Sequence, residues 1–150
     1  MMKYLIPCFY AFMACMAFCV VYNLKDPYIA FMSSLGGAIG WFVYLLSAGT
    51  GAVIMQNLFA AVAVAIFSEL MARWFKTPVT VFLIIGILPL VPGGGIYYTM
   101  EYCIKGNTAM FLEKGLNTFA IAGAIAVGVS LVASIVRIIN AYKYHDKRVD

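Results

Sequence analysis

Ile87-Leu88-Pro89-Leu90-Val91-Pro92-Gly93-Gly94-Gly95-Ile96-Tyr97-Tyr98 is the stretch on which the fold turns. It lies inside a 24-residue run, Thr77 to Met100, that holds no Asp, Glu, Lys or Arg. That length matches the about 20 apolar residues a helix needs to cross a bilayer. Its middle is not built for ordinary helix. Pro89 and Pro92 each remove a backbone donor and clash with the preceding turn, and three glycines then free the chain from helical geometry. Two readings fit: a proline kink with close glycine packing, or a span broken into two half-helices. Irregular backbone is tolerated in a bilayer only where protein or a water-filled cavity satisfies it, and transporters use such breaks to offer free N–H and C=O groups to a solute. On the second reading the N–H groups of Gly93, Gly94 and Gly95 cradle a carboxylate where the next half-helix begins. Tyr97 and Tyr98 then supply a hydroxyl or a wall.

The rest of the chain reads as membrane protein too. Of 150 residues, 65% are hydrophobic and 11% charged, against roughly 45–50% and about 25% in soluble domains. A domain this small cannot hide so much apolar side chain from water, which excludes a soluble enzyme, a disordered tail and a nucleic-acid-binding module. Three further charge-free runs, Tyr4–Leu24, Pro27–Ser68 and Gly115–Val136, are 21, 42 and 22 residues long. The longest holds two crossings joined at Ser47-Ala48-Gly49-Thr50-Gly51. An all-α membrane protein follows, a single integral domain over 1–150 with five transmembrane helices near 4–22, 29–47, 53–75, 79–102 and 115–142. The fourth is interrupted at the Pro/Gly stretch. Transmembrane strands would alternate apolar and polar residues over about ten positions, and no such alternation is present.

Five crossings put Lys25, Arg73, Lys76, Arg137, Lys143, Lys147 and Arg148 on one side and Lys3, Lys105 and Lys114 on the other. Because cytoplasmic loops are enriched in Lys and Arg, this distribution predicts an outside N-terminus and a cytoplasmic C-terminus. It also accounts for the net charge of +4 without a nucleic-acid partner, and the Lys143–Arg148 cluster suits an anionic inner leaflet. The first run is read as a retained helix rather than a cleaved signal, since hydrophobicity continues past Cys15. Cys8, Cys15 and Cys19 share one helix face at spacings poor for a bridge and are read as small packing residues. His145 has no second ligand around it. No metal or cofactor is expected.

Glu69 is the acid placed within the apolar zone. Arg73, four residues on, lies on the same helix face, so a structural ion pair and a proton-coupling carboxylate are both open readings. Gln56 and Asn57 open the same helix, facing water or a neighbouring helix. Gly36 and Gly40 form a GxxxG spacing in the second helix. Asn117, Ala120, Ala124 and Gly128 line one face of the fifth, and such small-residue faces let helices approach. Asn117 serves either as interhelical glue or as a pathway residue. Glu101 and Glu113, separated by a solvated loop with Lys105 and Lys114, read as surface charge. Phosphate-loop, zinc-protease, CxxC and nucleophile-elbow motifs are lacking, so no enzyme is expected.

The order of these pieces carries a family likeness: Leu35-Gly36-Gly37-Ala38-Ile39-Gly40-Trp41, then Phe67-Ser68-Glu69-Leu70-Met71-Ala72-Arg73 and Thr77-Pro78, then Ile87–Gly93 with Tyr97, and Asn117-Thr118 heading an Ala/Gly-rich last helix. The chain closely resembles the small membrane subunit, or second-half domain, of the threonine/serine exporter family. That resemblance implies a subunit of a secondary active exporter in the cytoplasmic (inner) membrane, working with a larger membrane subunit. It implies small hydrophilic substrates: threonine and serine, with dicarboxylates such as succinate in two-component members. Pro89, Pro92, Gly93 and Asn117 match the family pattern. Homo-oligomerisation is compatible with the sequence, and a non-transporting membrane scaffold or assembly protein is the rival function.

Overall fold

The computed structural model describes residues Met2–Asp146, all helix, turn or short connection, with no strand among them. Lys147 and Arg148 of the basic tail lie outside the described residues, as do the side chains of Lys3, Lys143 and His145.

Six α-helices follow in order: α1 Met2–Val21, α2 Pro27–Leu46, α3 Val53–Phe75, α4 Val79–Ile87, α5 Gly93–Ile104 and α6 Thr108–Asp146. Local chemistry sets their ends. Asp26 caps α2, its Oδ1 accepting the Tyr28 N–H at 2.9 Å, with Pro27 in the first turn, where its missing donor costs nothing. Helix α3 closes at Lys76, in left-handed geometry at φ 51°, whose N–H and that of Thr77 both return to the Ala72 carbonyl. Pro78 then blocks continuation. The α5–α6 turn is made by Gly106 at φ +70°, a conformation only glycine adopts freely.

Helix α6 begins seven residues before the sequence-based boundary at 115. Charge was the wrong criterion there. Asn107 caps the helix, its Oδ1 accepting the Met110 N–H at 3.2 Å and its carbonyl accepting from Phe111, so Glu113 and Lys114 sit in the first turns rather than in a loop. At about 1.5 Å per residue, the 39 residues of α6 reach about 58 Å, close to twice the about 30 Å of hydrocarbon in a bilayer.

Three stretches are long and apolar enough to cross a membrane, Pro27–Gly49, Val53–Phe75 and Thr108–Tyr142; the α4–α5 pair, bent by 56°, makes a fourth if counted as one broken span. The apolar part of α1, Leu5–Val21, is shorter. Five crossings are therefore not established by helix length.

Helix α3 is central, packed against α2, α4 and α6, while α1 covers α2 and touches α4. The core joins Ala60, Ala61 and Val64 of α3 to Leu90 and Ile125, flanked by Trp41 and Tyr44, whose rings stack 5.1 Å apart. Small residues permit this closeness. A Cβ at Gly40 would run into Val64, one at Gly36 would lie 3.0 Å from Phe67, and one at Gly128 would lie 3.0 Å from the Leu58 carbonyl oxygen. With lipid outside, such packing rather than water expulsion drives association. Gly128 faces Leu58 and Ala61 while Arg73 reaches Asn140, so α3 and α6 run parallel.

Candidate functional site

The break between α4 and α5 is explained bond by bond. Pro89 has no N–H for the Ile85 carbonyl, which instead accepts the Leu88 N–H. Pro92 has none for Leu88, whose carbonyl takes the Val91 N–H at 3.3 Å. A 3₁₀ turn over Leu88–Leu90 results. The Gly93 N–H then folds back onto the Val91 carbonyl at 2.7 Å, and α5 starts as Ile96 donates to Pro92 at 3.0 Å. No side chain caps α5, leaving the amides of Gly94 and Gly95 without a partner among the described residues.

The break sits at the mid-depth of the bundle. Leu90 packs in the core with Val64, the middle residue of the 23-residue α3. A Cβ at Gly37, in the middle of α2, would meet Pro89 at 3.4 Å. Gly86 rests directly on the backbone of Gly36 and Gly37. On the far side the backbone is open: Val91, Gly93 and Gly94 are exposed.

From the opposite flank, α1 supports the break. Cys15, fully buried, donates its thiol to the Ile85 carbonyl at 3.3 Å, the group that Pro89 deprives of a helical donor. One turn on, Cys19 lies 3.6 Å from both the Ala30 carbonyl and the Ser34 hydroxyl, and Ser34 itself donates to Ala30 at 2.8 Å. Expected as small packing residues, these cysteines are buried, and Cys15 in addition donates to the carbonyl that the break deprives of its helical donor.

Beyond the break, α5 and the first half of α6 form a hairpin. Helix α5 packs against α6 and has no fully buried residue. Gly95 is the contact point, since a Cβ there would collide with the Thr118 hydroxyl; Gly115 faces Thr99 in the same way. Gly93 and Gly94 have open space where a side chain would go. Between the two helices lies an open, mainly apolar groove of about 380 Å³, lined by Pro92, Ile96, Thr99, Met100, Thr118 and Phe119 among others. It reaches the break itself through Val91 and Pro92, and its volume lies within the range of about 300–1,000 Å³ common for small-molecule sites.

The candidate residues are thus brought together in part. Pro89 and Pro92 make the break, whereas Gly93, Gly94 and Gly95, expected to leave helical geometry, form the regular first turn of α5. Tyr97 is exposed, its ring 5.4 Å from that of Tyr98, and is not part of the groove lining. Asn117 is exposed on α6; its neighbour Thr118 is the one that enters the groove. Ala120 and Ala124 are half-buried beside the buried Gly128. Glu69 and Arg73 do not pair. The Arg73 guanidinium donates to Asn140 on α6 at 3.1 Å, and the ion pairs among the described residues are Lys105–Glu101 at 2.6 Å and Lys114–Glu113 at 3.8 Å. Glu69 is left half-buried with no ion pair or hydrogen bond from its side chain among the described residues. At the hairpin tip, the hydrogen bond from Lys105 to the Glu101 carboxylate raises the Lys105 pKa above its ordinary value.

Gln56 and Asn57 are buried at the start of α3, Asn57 donating to its own Val53 carbonyl at 2.8 Å. The hydroxyls of Ser33 and Ser68 are fully buried and have no hydrogen-bond partner among the described residues. No group of three His, Cys, Asp or Glu residues capable of holding a metal ion occurs among the described residues.

A family profile described as "Threonine/Serine exporter, ThrE" matches residues 7–135. The chain belongs to the threonine/serine exporter family. Its matched region takes in α2, α3, both halves of the broken span and most of α6. The threonine/serine exporter of Corynebacterium glutamicum is 30% identical over 103 residues, which are 69% of this chain and 20% of that relative. The chain therefore spans about one fifth of the length of the curated relative it matches. No solved structure matches it. Family membership and the apolar helices make this an integral membrane protein of a transporter family.

Proposed function

We propose that this chain is a subunit of a secondary active exporter that moves threonine, serine or a small dicarboxylate such as succinate out across the cytoplasmic membrane. One observation carries the reading: the backbone is broken at the mid-depth of α2 and α3, with two unpaired amides on its open side. Hydrocarbon does not tolerate such groups, so a water-filled solute route is the environment that suits them. The Gly94 and Gly95 amides, at the positive end of α5, are chemically matched to a substrate carboxylate, a group that all three solutes carry. Thr118 and Asn117 on α6 and Tyr97 on α5 flank the route, and α2 backs it.

In this reading α1 makes a fifth crossing, with the N-terminus outside and the C-terminus cytoplasmic. The bundle supports that arrangement, because antiparallel packing of α2 on α3 and parallel packing of α3 with α6 gather Lys25, Arg73, Lys76 and Arg137 at one end. A larger membrane partner, corresponding to the part of the Corynebacterium relative that this chain leaves unmatched, completes the exporter. Reconstitution with and without that partner, in vesicles loaded with labelled threonine, serine or succinate, tests the proposal. Partner-dependent efflux of one of these solutes is expected; no efflux of any of them in either arrangement would overturn it.

A further inference from the structure

We infer that the groove between α5 and α6 is the seat of a transmembrane helix from the remainder of the exporter, which closes the open side of the break. The inference rests on the exporter reading and adds where the partner binds. Three observations lead to it. First, the exposed side of the break presents irregular backbone: Val91, Gly93 and Gly94 are exposed and the Gly94 and Gly95 amides lack acceptors. At the level of Val64 and Gly37 this surface faces the hydrocarbon zone, where lipid cannot satisfy it. A solute route meets that need only if a second wall keeps lipid out, and this chain provides one wall.

Second, α5 is unlike the other helices. It packs on α6 and has no fully buried residue, whereas α2, α3 and α4 each bury several. Its groove runs from Pro92 past Ile96 and Thr99 and is bounded on α6 by Thr118 and Phe119, with Phe119 79% exposed. Small residues on both walls, Gly95 and Gly115, bring α5 and α6 close enough to form one continuous surface. Third, the matching stretch of the relative is one fifth of its length, so the family's exporter holds ample further chain to supply the missing wall. The occupant expected is an apolar helix with small residues at the contact, so that it seats in the groove and walls lipid off from the break while the Gly94 and Gly95 amides stay open to solute. Helix–helix contacts in bilayers favour this kind of surface.

Site-specific photocrosslinking in cells tests the seat. A benzophenone side chain replaces Ile96 or Phe119 in the groove, or Val20 on the outer face of α1 as a control, in cells co-expressing the larger chain that matches the rest of the Corynebacterium exporter. Export by each variant is measured in parallel. The groove positions are expected to give at least tenfold more adduct with the larger chain than Val20 does, and Ala122→Trp, which fills the groove, is expected to remove that adduct. Adducts between two copies of this chain would overturn the inference in favour of a self-interface. Adducts with lipid alone while export continues would overturn the seat and leave the exporter reading standing. Lipid adducts together with no export in any arrangement would remove both.

Discussion

Replacing Cys15 by alanine should destabilise the protein through a bond that exists because residue 89 is proline. The Cys15 thiol is fully buried and reaches the Ile85 carbonyl at 3.3 Å. Losing the sulfur leaves a cavity of one heavy atom in a closed site, at about 1 kcal/mol of lost packing. Losing the hydrogen bond adds about 1 kcal/mol, the middle of the range for a net protein bond. The Ile85 carbonyl keeps the Leu88 N–H, so the larger penalty of a wholly orphaned group does not apply. The expected total is about 2 kcal/mol on those two values. In a Pro89→Ala background residue 89 regains an N–H, the natural partner of Ile85, and only the packing cost should remain. A double-mutant cycle by reversible denaturation in detergent should then give a coupling of about 1 kcal/mol between positions 15 and 89. Cys15→Ser, which retains a donor, should lie close to wild type. Equal costs of Cys15→Ala in both backgrounds would refute the claim that the thiol completes the broken turn.

Three further outcomes are expected. Ser33→Ala and Ser68→Ala remove buried hydroxyls that have no partner and should leave stability unchanged or raise it by up to about 1 kcal/mol; a loss of that size would show that each hydroxyl is bonded in the membrane. Gly95→Val drives a side chain into Thr118, so export should fall at least tenfold while Gly123→Ala, with open space around it on α6, stays within twofold; the reverse order would place the tight contact elsewhere. Glu69→Gln removes a half-buried carboxylate that Arg73, engaged by Asn140, does not pair with, and export should fall at least tenfold at unchanged membrane abundance. Export at the wild-type rate would remove Glu69 from the coupling role.

Composition and the charge-free runs make the helical membrane class legible, and the turn residues Ser47–Gly51 mark where α3, Val53–Phe75, begins. The broken span could be read because two prolines act through the local backbone, which sequence states directly; the three glycines instead open α5 as regular helix. What depended on neighbours could not be read. Helix α6 starts at Thr108 because Asn107 caps it, yet two charges in its first turns looked like loop. The role of Cys15 depends on α1 meeting α4 seventy residues away. Arg73 had a carboxylate one turn back on its own helix and takes the Asn140 amide on α6 instead. Asn117 drew attention as the most polar residue of its stripe, but one position further along the helix, about 100° round, Thr118 is the residue that faces Gly95. A signal for that contact was present in the small residue Gly95 opposite a β-branched hydroxyl, although nothing in the sequence alone paired them.

Export by a Pro92→Leu/Gly93→Ala variant is the most direct test of the broken span. Both changes restore helix formers at the point where the ladder parts, and Gly93 has room for a methyl group, so insertion and membrane abundance should match wild type. The account predicts that solute efflux drops to the level of empty vesicles. Efflux at the wild-type rate from a variant whose fourth span has become continuous would contradict it.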